Sequence, residues 1–157
     1  MSPLERRTPL QPGQGLRRTP MRRTGRKPVA RRRDTGPSSA VRDIVAARCG
    51  GRCEICDRPL AGTPWSRHHR NPRQMGGKRR AGINEASNLL AICGTGTTGC
   101  HGRVEANRRV AYTAGWLVHD RDDPRLVPVE LARGLTWLDD DGMYLTTPPS
   151  TTETGAP

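Results

Sequence analysis

The amino-acid sequence predicts a small α+β domain that is held together by zinc. Three observations lead to this prediction: the chain offers little material for a hydrophobic core, four of its cysteines stand in two pairs, and the segment around them has the pattern strand, loop, strand and helix. Of the 157 residues, 32% are hydrophobic and none is Phe, while 18 are Gly and 14 are Pro. Domains with so small a core usually depend on disulfides or on a metal ion.

The charge balance of the chain points to a polyanionic partner. There are 27 Lys and Arg against 15 Asp and Glu, so the formal net charge is +12. All the basic residues except Lys27 and Lys78 are Arg, whose forked guanidinium binds phosphate oxygens, and this favours nucleic acid. Codon bias can account for Arg in place of Lys, but it does not account for the excess of positive charge.

Residues 1–37 are predicted to form a disordered Arg-rich arm. The first 33 residues contain eleven basic side chains and one acid, Glu5, and the phrase Arg-Arg-Thr occurs three times. Sparse apolar residues and repulsion between like charges prevent such a segment from packing a core. The arm is suited to lie along a phosphate backbone, and the alternative is that it only keeps the protein soluble.

No membrane or secretion segment is evident in the sequence. The first ten residues lack the apolar stretch of a signal peptide, and no run approaches the roughly 20 apolar residues of a membrane span. We therefore expect a cytoplasmic protein without membrane contact. A reducing compartment favours zinc over disulfides as the use of the five cysteines.

The first packed element is predicted to be a helix. Ser38 or Ser39 can cap it, the apolar residues that follow recur at helical spacing, and Gly50 marks its end. We expect this helix to pack on the zinc site.

Two pairs of cysteines are predicted to bind one structural zinc ion. Cys53 and Cys56 have the C-x-x-C spacing of a zinc knuckle, and Cys93 and Cys100 flank a segment of Gly and Thr that can fold back on itself. Cys49 is left over, and we expect it at the end of the preceding helix, although it could replace one of the four. The alternative is a set of buried free thiols.

Two adjacent histidines lie on the first predicted strand, residues 65–70. Because successive side chains of a strand point to opposite faces, His68 and His69 are separated. They cannot easily bind the same metal ion, but one can be a ligand while the other acts as a base.

A basic loop, a second strand and a helix follow these histidines. Residues 89–92 are an apolar run typical of a buried strand, and the helix predicted from residue 100 to about residue 109 carries His101 and Glu105 on one face. The loop of residues 73–83 is basic and contains Gly, which suits contact with phosphate. The predicted nucleic-acid-binding residues are Arg70, Arg73, Lys78, Arg79 and Arg80.

The end of the chain is predicted to be a small β appendage, residues 116–146, followed by a disordered tail, residues 147–157. Short apolar runs at 116–118, 126–129, 135–138 and 143–145 predict antiparallel strands. The acidic segment 139–142 lacks the alternating ligands of a calcium loop, so we interpret it as a hairpin turn. His119 is expected on the surface.

Three blocks of this sequence, residues 68–77, 87–90 and 99–102, resemble the motifs of the HNH endonuclease family, which has the ββα-metal fold. The resemblance extends over residues 48–118 and is to the phage-type members that carry four cysteines. It implies that residues 38–115 form the nuclease domain. Members of this type often assist genome packaging beside a terminase, so terminase subunits are implied partners besides DNA.

The resemblance also implies a role for each residue of the motifs. His68 and His101 would bind a catalytic Mg²⁺, Mn²⁺ or Ni²⁺ ion, His69 would be the general base, and Asn88 would position the loop that carries it. Many members have a further His where this chain has Glu105, and a carboxylate can also bind a divalent cation. The site is then either intact with an altered metal preference or weakened.

These observations predict a metal-dependent endonuclease that hydrolyses DNA phosphodiester bonds with a histidine-activated water. A phage or a related mobile element is the implied source, which places the protein in the cytoplasm of a host cell. The alternative is a non-catalytic zinc-knuckle protein that binds DNA or assists packaging and has a degenerate histidine site. Glu105 is the residue that keeps this alternative open.

Overall fold

The computed structural model describes residues 36–73 and 80–149. Three predictions lie wholly or largely outside these residues: the Arg-rich arm up to residue 35, the loop contacts of Lys78 and Arg79, and the tail from residue 150. In the described part of the chain, three helices and two small sheets form a mixed α/β fold. The predicted coarse class, a small α+β domain, is therefore confirmed.

The secondary structure follows the predicted order of helix, hairpin, helix and sheet, except that two helices follow the hairpin. The helices and strands are α1 (Ser39–Cys49), β1 (Trp65–His69), β2 (Leu89–Cys93), α2 (Gly99–Ala106), α3 (Arg108–Thr113), β3 (Val129–Leu131), β4 (Gly134–Leu138) and β5 (Tyr144–Leu145). A single 3₁₀ turn, Ala86–Asn88, leads into β2.

Helix α1 begins and ends where its capping residues predict. The Ser38 side chain accepts a hydrogen bond from the Val41 N–H at 3.3 Å, which satisfies one of the free donors of the first turn. Gly50 takes the left-handed conformation, with φ of 57°, and so ends the helix at its C-cap. The fully buried side chain of the helix, Val45, belongs to the core.

Strands β1 and β2 form an antiparallel hairpin that carries the histidines. Trp65 pairs with Cys93 at one end and His69 with Leu89 at the other. All five residues of β2 are buried, whereas on β1 only His68 is buried. Helix α2 packs on both strands, and this arrangement places His101, in the first turn of the helix, over β1.

The helix predicted from residue 100 to about residue 109 is divided in two. Asn107 has φ of −132° and ψ of 72°, which is outside the helical region, and its side chain accepts from the Val110 N–H to cap α3. Asn is a preferred capping residue because its side chain competes for backbone donors. The predicted end of α2 was therefore too late.

Strands β3, β4 and β5 form the antiparallel sheet predicted for the end of the chain. The acidic segment joins β4 to β5, and the Asp139 carboxylate accepts from the Met143 N–H at 2.7 Å, as expected of a hairpin turn. The strand predicted at 126–129 begins only at Val129, as β3. The predicted strand at 116–118 is wrong. Its backbone is bonded irregularly instead, since the Leu117 N–H donates to Ala111 and the Val118 N–H to Arg70.

One hydrophobic cluster joins the two sheets. Val129 and Leu138, from the second sheet, are fully buried in the same cluster as Val45 and Leu90. The backbone segments at Gly115 and Pro128 approach each other closely. A Cβ atom on Gly115 would lie 1.9 Å from the Pro128 carbonyl oxygen, and φ of Gly115 is +69°. Gly is therefore required at this position. Among the described helices, none is long and apolar enough to cross a membrane.

Candidate functional site

The first cysteine pair lies in a tight turn after α1. The Asp57 N–H donates to the Cys53 carbonyl at 2.8 Å, and Asp57 itself has φ of 59°. Arg52 and Pro59 form an isolated antiparallel bridge that closes the turn. Asp tolerates the left-handed conformation better than most residues, so this short segment can present both thiols on the same side.

The second pair is brought together by a compact loop from the end of β2 to the start of α2. Gly94 has φ of +90°, and a Cβ atom there would lie 2.0 Å from the Thr98 carbonyl oxygen. No larger residue fits such an approach without moving the backbone. Cys93 and Cys100 are thus neighbours although six residues separate them.

The four cysteine sulfurs converge as the spacing predicts. Each potential ligand atom of Cys53, Cys56, Cys93 and Cys100 lies within 4.8 Å of the others, and the Cys56 and Cys93 sulfurs are 3.7 Å apart. Tetrahedral zinc with Zn–S bonds of about 2.3 Å sets its sulfurs roughly 3.8 Å apart. The cluster therefore fits a zinc ion. Cys49 lies outside it, at the end of α1, with its thiol on the Ala46 carbonyl at 3.3 Å.

The surroundings of these thiols shift their pKa values in different directions. Burial raises the pKa of Cys53 and of Cys100 above the ordinary value. At Cys56 burial also acts upward, but the Arg58 N–H and the neighbouring thiols donate to its sulfur, and the pKa is lowered. Zinc binds thiolates, so loading this cluster releases protons.

A second cluster combines residues from β1 and α2. His68, His101 and Glu105 place their potential ligand atoms within 4.8 Å of one another. The two imidazole rings meet edge to face with centroids 5.2 Å apart, and the His101 Nε2 atom is 3.9 Å from the Glu105 carboxylate. The predicted i, i+4 arrangement on α2 is thus present.

The partners of the two imidazoles decide which nitrogen atoms face the cluster. The His68 Nε2 atom lies 3.0 Å from the Trp116 carbonyl, which can only accept, so Nε2 carries the proton and Nδ1 keeps its lone pair. The His101 Nδ1 atom lies 2.7 Å from the Ser66 hydroxyl, which leaves Nε2 toward Glu105. Such partners are typical of histidines that bind metal through the other nitrogen.

Burial keeps His68 neutral. It lowers the pKa of this imidazole to about 4, against a smaller upward effect of the hydrogen bond to Trp116. At physiological pH the ring is then uncharged and able to act as a ligand without first losing a proton.

His69 is held separately, by a residue that sequence reasoning missed. Its Nε2 atom lies 3.1 Å from the Asn84 side-chain oxygen, and the Asn84 amide donates to the Gly36 carbonyl at 3.3 Å. Because an amide oxygen accepts, Nε2 is the protonated nitrogen and Nδ1 has the lone pair. Burial lowers the pKa of His69, although the Asn84 contact opposes this. In the sequence, Asn84 has no signal beyond its place four residues before Asn88.

Asn88 connects the end of β1 to the loop before β2. Its side-chain oxygen accepts from the Asn71 N–H at 2.7 Å, and its amide donates to the Ile83 carbonyl at 2.8 Å. The residue is fully buried. These contacts fix the backbone directly after His69.

Arg70 corrects one prediction, because it is fully buried and cannot lie on a DNA-binding surface. Burial lowers its pKa to about 9, so the guanidinium stays charged at neutral pH. Its donors are taken by backbone carbonyls at 2.7 to 3.1 Å, those of Ser87, Gly115, Pro124 and Val127. Arg70 therefore joins the hairpin to the irregular segment before β3.

Two of the other predicted basic contacts are described. Arg73 is partly buried, and Arg80 pairs with the Asp120 carboxylate at 3.5 Å. Arg80 is partly exposed, so such a surface pair is weak and does not prevent contact with phosphate.

Comparison of the chain with protein-family models, with curated proteins and with solved structures gives no match.

Proposed function

We propose that this protein is a metal-dependent endonuclease of the HNH type that hydrolyses phosphodiester bonds in DNA. The observation that carries the proposal is the convergence of His68, His101 and Glu105, with His69 next to them on the same strand. The order hairpin then helix, with Asn88 between the two histidine positions, also supports it. A role beside a phage terminase stays a prediction from the resemblance.

The donor atoms of the histidine cluster favour a divalent transition metal. Two imidazole nitrogens and one carboxylate suit Mn²⁺ or Ni²⁺, whereas Mg²⁺ prefers a shell of oxygen atoms. When bound, such a cation offsets the negative charge that builds up on the phosphoryl oxygens. The Ser66 hydroxyl and the Trp116 carbonyl would keep the two imidazoles oriented for this purpose.

His69 is proposed to take the proton from the attacking water. The ring is neutral at physiological pH, and its Nδ1 atom keeps a lone pair because Asn84 accepts from Nε2–H. Asn84 is therefore a positioning residue that selects the tautomer of the base. Asn88 holds the backbone that follows it.

The activity can be tested on supercoiled plasmid with zinc-loaded protein. We expect nicking when Mn²⁺ or Ni²⁺ is added, slower nicking with Mg²⁺, and none without added metal, since the cysteine-bound zinc has no open position. His101→Gln is the control, because it removes a ligand while the zinc content reports an intact fold. Folded, zinc-loaded protein that cleaves with none of these metals would contradict the proposal.

A non-catalytic DNA-binding protein is the second candidate, and one contact favours it. The Glu105 carboxylate accepts from the Arg108 guanidinium at 3.2 Å. This positive charge competes with a metal cation for the carboxylate, and it would weaken the cluster as a metal site. In that case the protein should bind the plasmid but leave it uncut with every metal tested.

The Arg-rich arm provides a test of DNA binding that does not depend on cleavage. Deletion of residues 1–33 removes a formal charge of about +10, so affinity for any DNA sequence should fall and depend less steeply on salt. Titrations of labelled duplex at several salt concentrations measure this. An unchanged slope of log affinity against log salt would show that the arm does not contact DNA.

A further inference from the structure

We propose that Trp65 and Arg67 form a stacking site for an unpaired nucleobase of the DNA strand on which His69 acts. The inference rests on the proposed endonuclease function and specifies its substrate as single-stranded or locally unpaired DNA. Three observations carry it: the shared strand face of these residues, the exposed tryptophan ring with its guanidinium neighbour, and the open groove beside that ring.

The alternation of β1 places the three side chains on one face. Ser66 and His68 point toward α2, where each is close to His101. Trp65, Arg67 and His69 therefore point to the other side of the strand. His69, the proposed general base, thus lies on the same face as an aromatic ring and a positively charged side chain.

Trp65 is unusually open for a tryptophan in a small domain. It keeps 38% of its surface exposed. Among the described residues, Trp116 is buried, and Trp137 and the two tyrosines are half-buried. The Arg67 guanidinium lies over its ring, 4.8 Å from the centroid. An aromatic ring beside an Arg plane is the combination on which unpaired bases stack.

Arg67 is half-buried, with its Nε atom buried and without a hydrogen-bond partner among the described residues. Within residues 36–73 and 80–149 it has no carboxylate partner, in contrast to Arg48 and Arg52, which are paired with Glu54 and Asp57. Its charge is therefore not offset by an acidic side chain of the described chain. A nucleotide that stacks on Trp65 would bring its own phosphate close to this charge.

An open groove of about 430 Å³ begins at the Trp65 ring. Its walls are mainly small or apolar residues, among them Ala46, Leu60, Ala61, Gly62 and Thr63. Among the described residues, no charged side chain lines it, so the edge of a flat heteroaromatic ring can enter without meeting an unpaired ion. The groove thus fits the flat, weakly polar face of a base.

The spacing along β1 agrees with a DNA strand that contacts both Trp65 and His69. Four residues of a strand cover roughly 13 Å, which is the length of about four nucleotides at B-form rise and of fewer when a single strand is extended. A base on Trp65 would therefore be a few nucleotides from the phosphodiester next to His69. In an intact duplex the bases are paired inside the helix, and the ring cannot reach their faces.

The test compares Trp65→Leu with wild-type zinc-loaded protein, without added catalytic metal. Affinities for a short single-stranded oligonucleotide and for the matching duplex are measured by fluorescence anisotropy. We expect single-strand affinity to fall about 5- to 150-fold, the usual range for loss of one stacked base, and duplex affinity to change little. Trp65→Phe, which keeps an aromatic face, should retain most of the single-strand affinity.

Matched controls separate stacking from a general effect of the substitution. Trp137→Leu, on β4, should leave both affinities unchanged. The oligonucleotide should quench the tryptophan fluorescence of the wild type more than that of Trp65→Leu, and inorganic phosphate should quench neither. Equal losses for single strand and duplex, or no loss for either, would overturn the stacking site. Plasmid nicking by the wild type is decided separately, so either proposal can fail while the other stands.

Discussion

Replacement of Cys53 by serine is expected to unfold the protein. Binding of a structural zinc ion to four thiolates contributes on the order of 10 kcal/mol, while the whole stability of a domain is about 5 to 15 kcal/mol. The core of this chain is small, and its β1–β2 hairpin and α2 meet at the cysteine cluster. Circular dichroism and metal analysis of the purified variant measure the effect.

Cys49→Ser is the matched control for this experiment. Cys49 lies next to the knuckle but outside the cluster. Its side chain packs against the edge of the core, and its thiol donates to the Ala46 carbonyl. The variant should keep its zinc and melt close to the wild type. A folded wild-type protein without tightly bound zinc, or a Cys53→Ser variant as stable as the Cys49→Ser control, would refute the structural role of the metal.

His69→Ala is expected to lower the nicking rate by about 10² to 10⁴ and to leave the affinity for the catalytic cation nearly unchanged. This is the usual contribution of a positioned general base. The expectation follows from its position, since His69 bonds to Asn84 and lies outside the cluster of His68, His101 and Glu105. Nicking rates measured over a range of Mn²⁺ concentrations give both quantities.

His68→Ala should behave differently in the same titration. Loss of a ligand weakens cation binding, so part of the lost rate should return at high Mn²⁺, whereas extra metal cannot replace a missing base. His119→Ala is the control, because this histidine is exposed and stacks on Tyr112, outside both clusters. If Mn²⁺ restores the His69 variant and not the His68 variant, the two roles must be exchanged.

Elements with local signals were predictable from the sequence. Ser38 and Gly50 cap helix α1 at its two ends, and such caps are predictable because capping depends on residues a few positions apart, which a sequence displays directly. The cysteine cluster was predictable for a related reason. Metal ligands are chemically distinctive, and Cys53 and Cys56 cannot be far apart whatever the rest of the chain does.

Features that depend on distant parts of the chain were not predictable. Arg70 stands among basic residues and beside two histidines, a context that favours contact with DNA. Its burial depends on carbonyls that are 17 to 57 residues further along the chain, and no local pattern shows that they converge. The same holds for Asn84, which contacts His69 across 15 residues and Gly36 across 48.

The strand wrongly predicted at 116–118 has a similar explanation. Apolar residues in a short run indicate burial, but burial alone does not distinguish a strand from irregular backbone. Here the run fills the space behind the hairpin, and the Trp116 carbonyl is taken by the His68 ring. This carbonyl is thus bonded to a side chain, whereas in a strand it would accept a hydrogen bond from the backbone of a neighbouring strand.

Cys100 and His101 are consecutive residues of α2, so one turn of this helix supplies a ligand to each of the two clusters. A zinc ion on Cys93 and Cys100 would anchor this turn against the end of β2 and thereby fix where His101 stands relative to His68. The second cation would then meet ligands that are already ordered. By thermodynamic reciprocity it would also strengthen the hold on zinc, so the two metal affinities would be cooperative without any shared ligand.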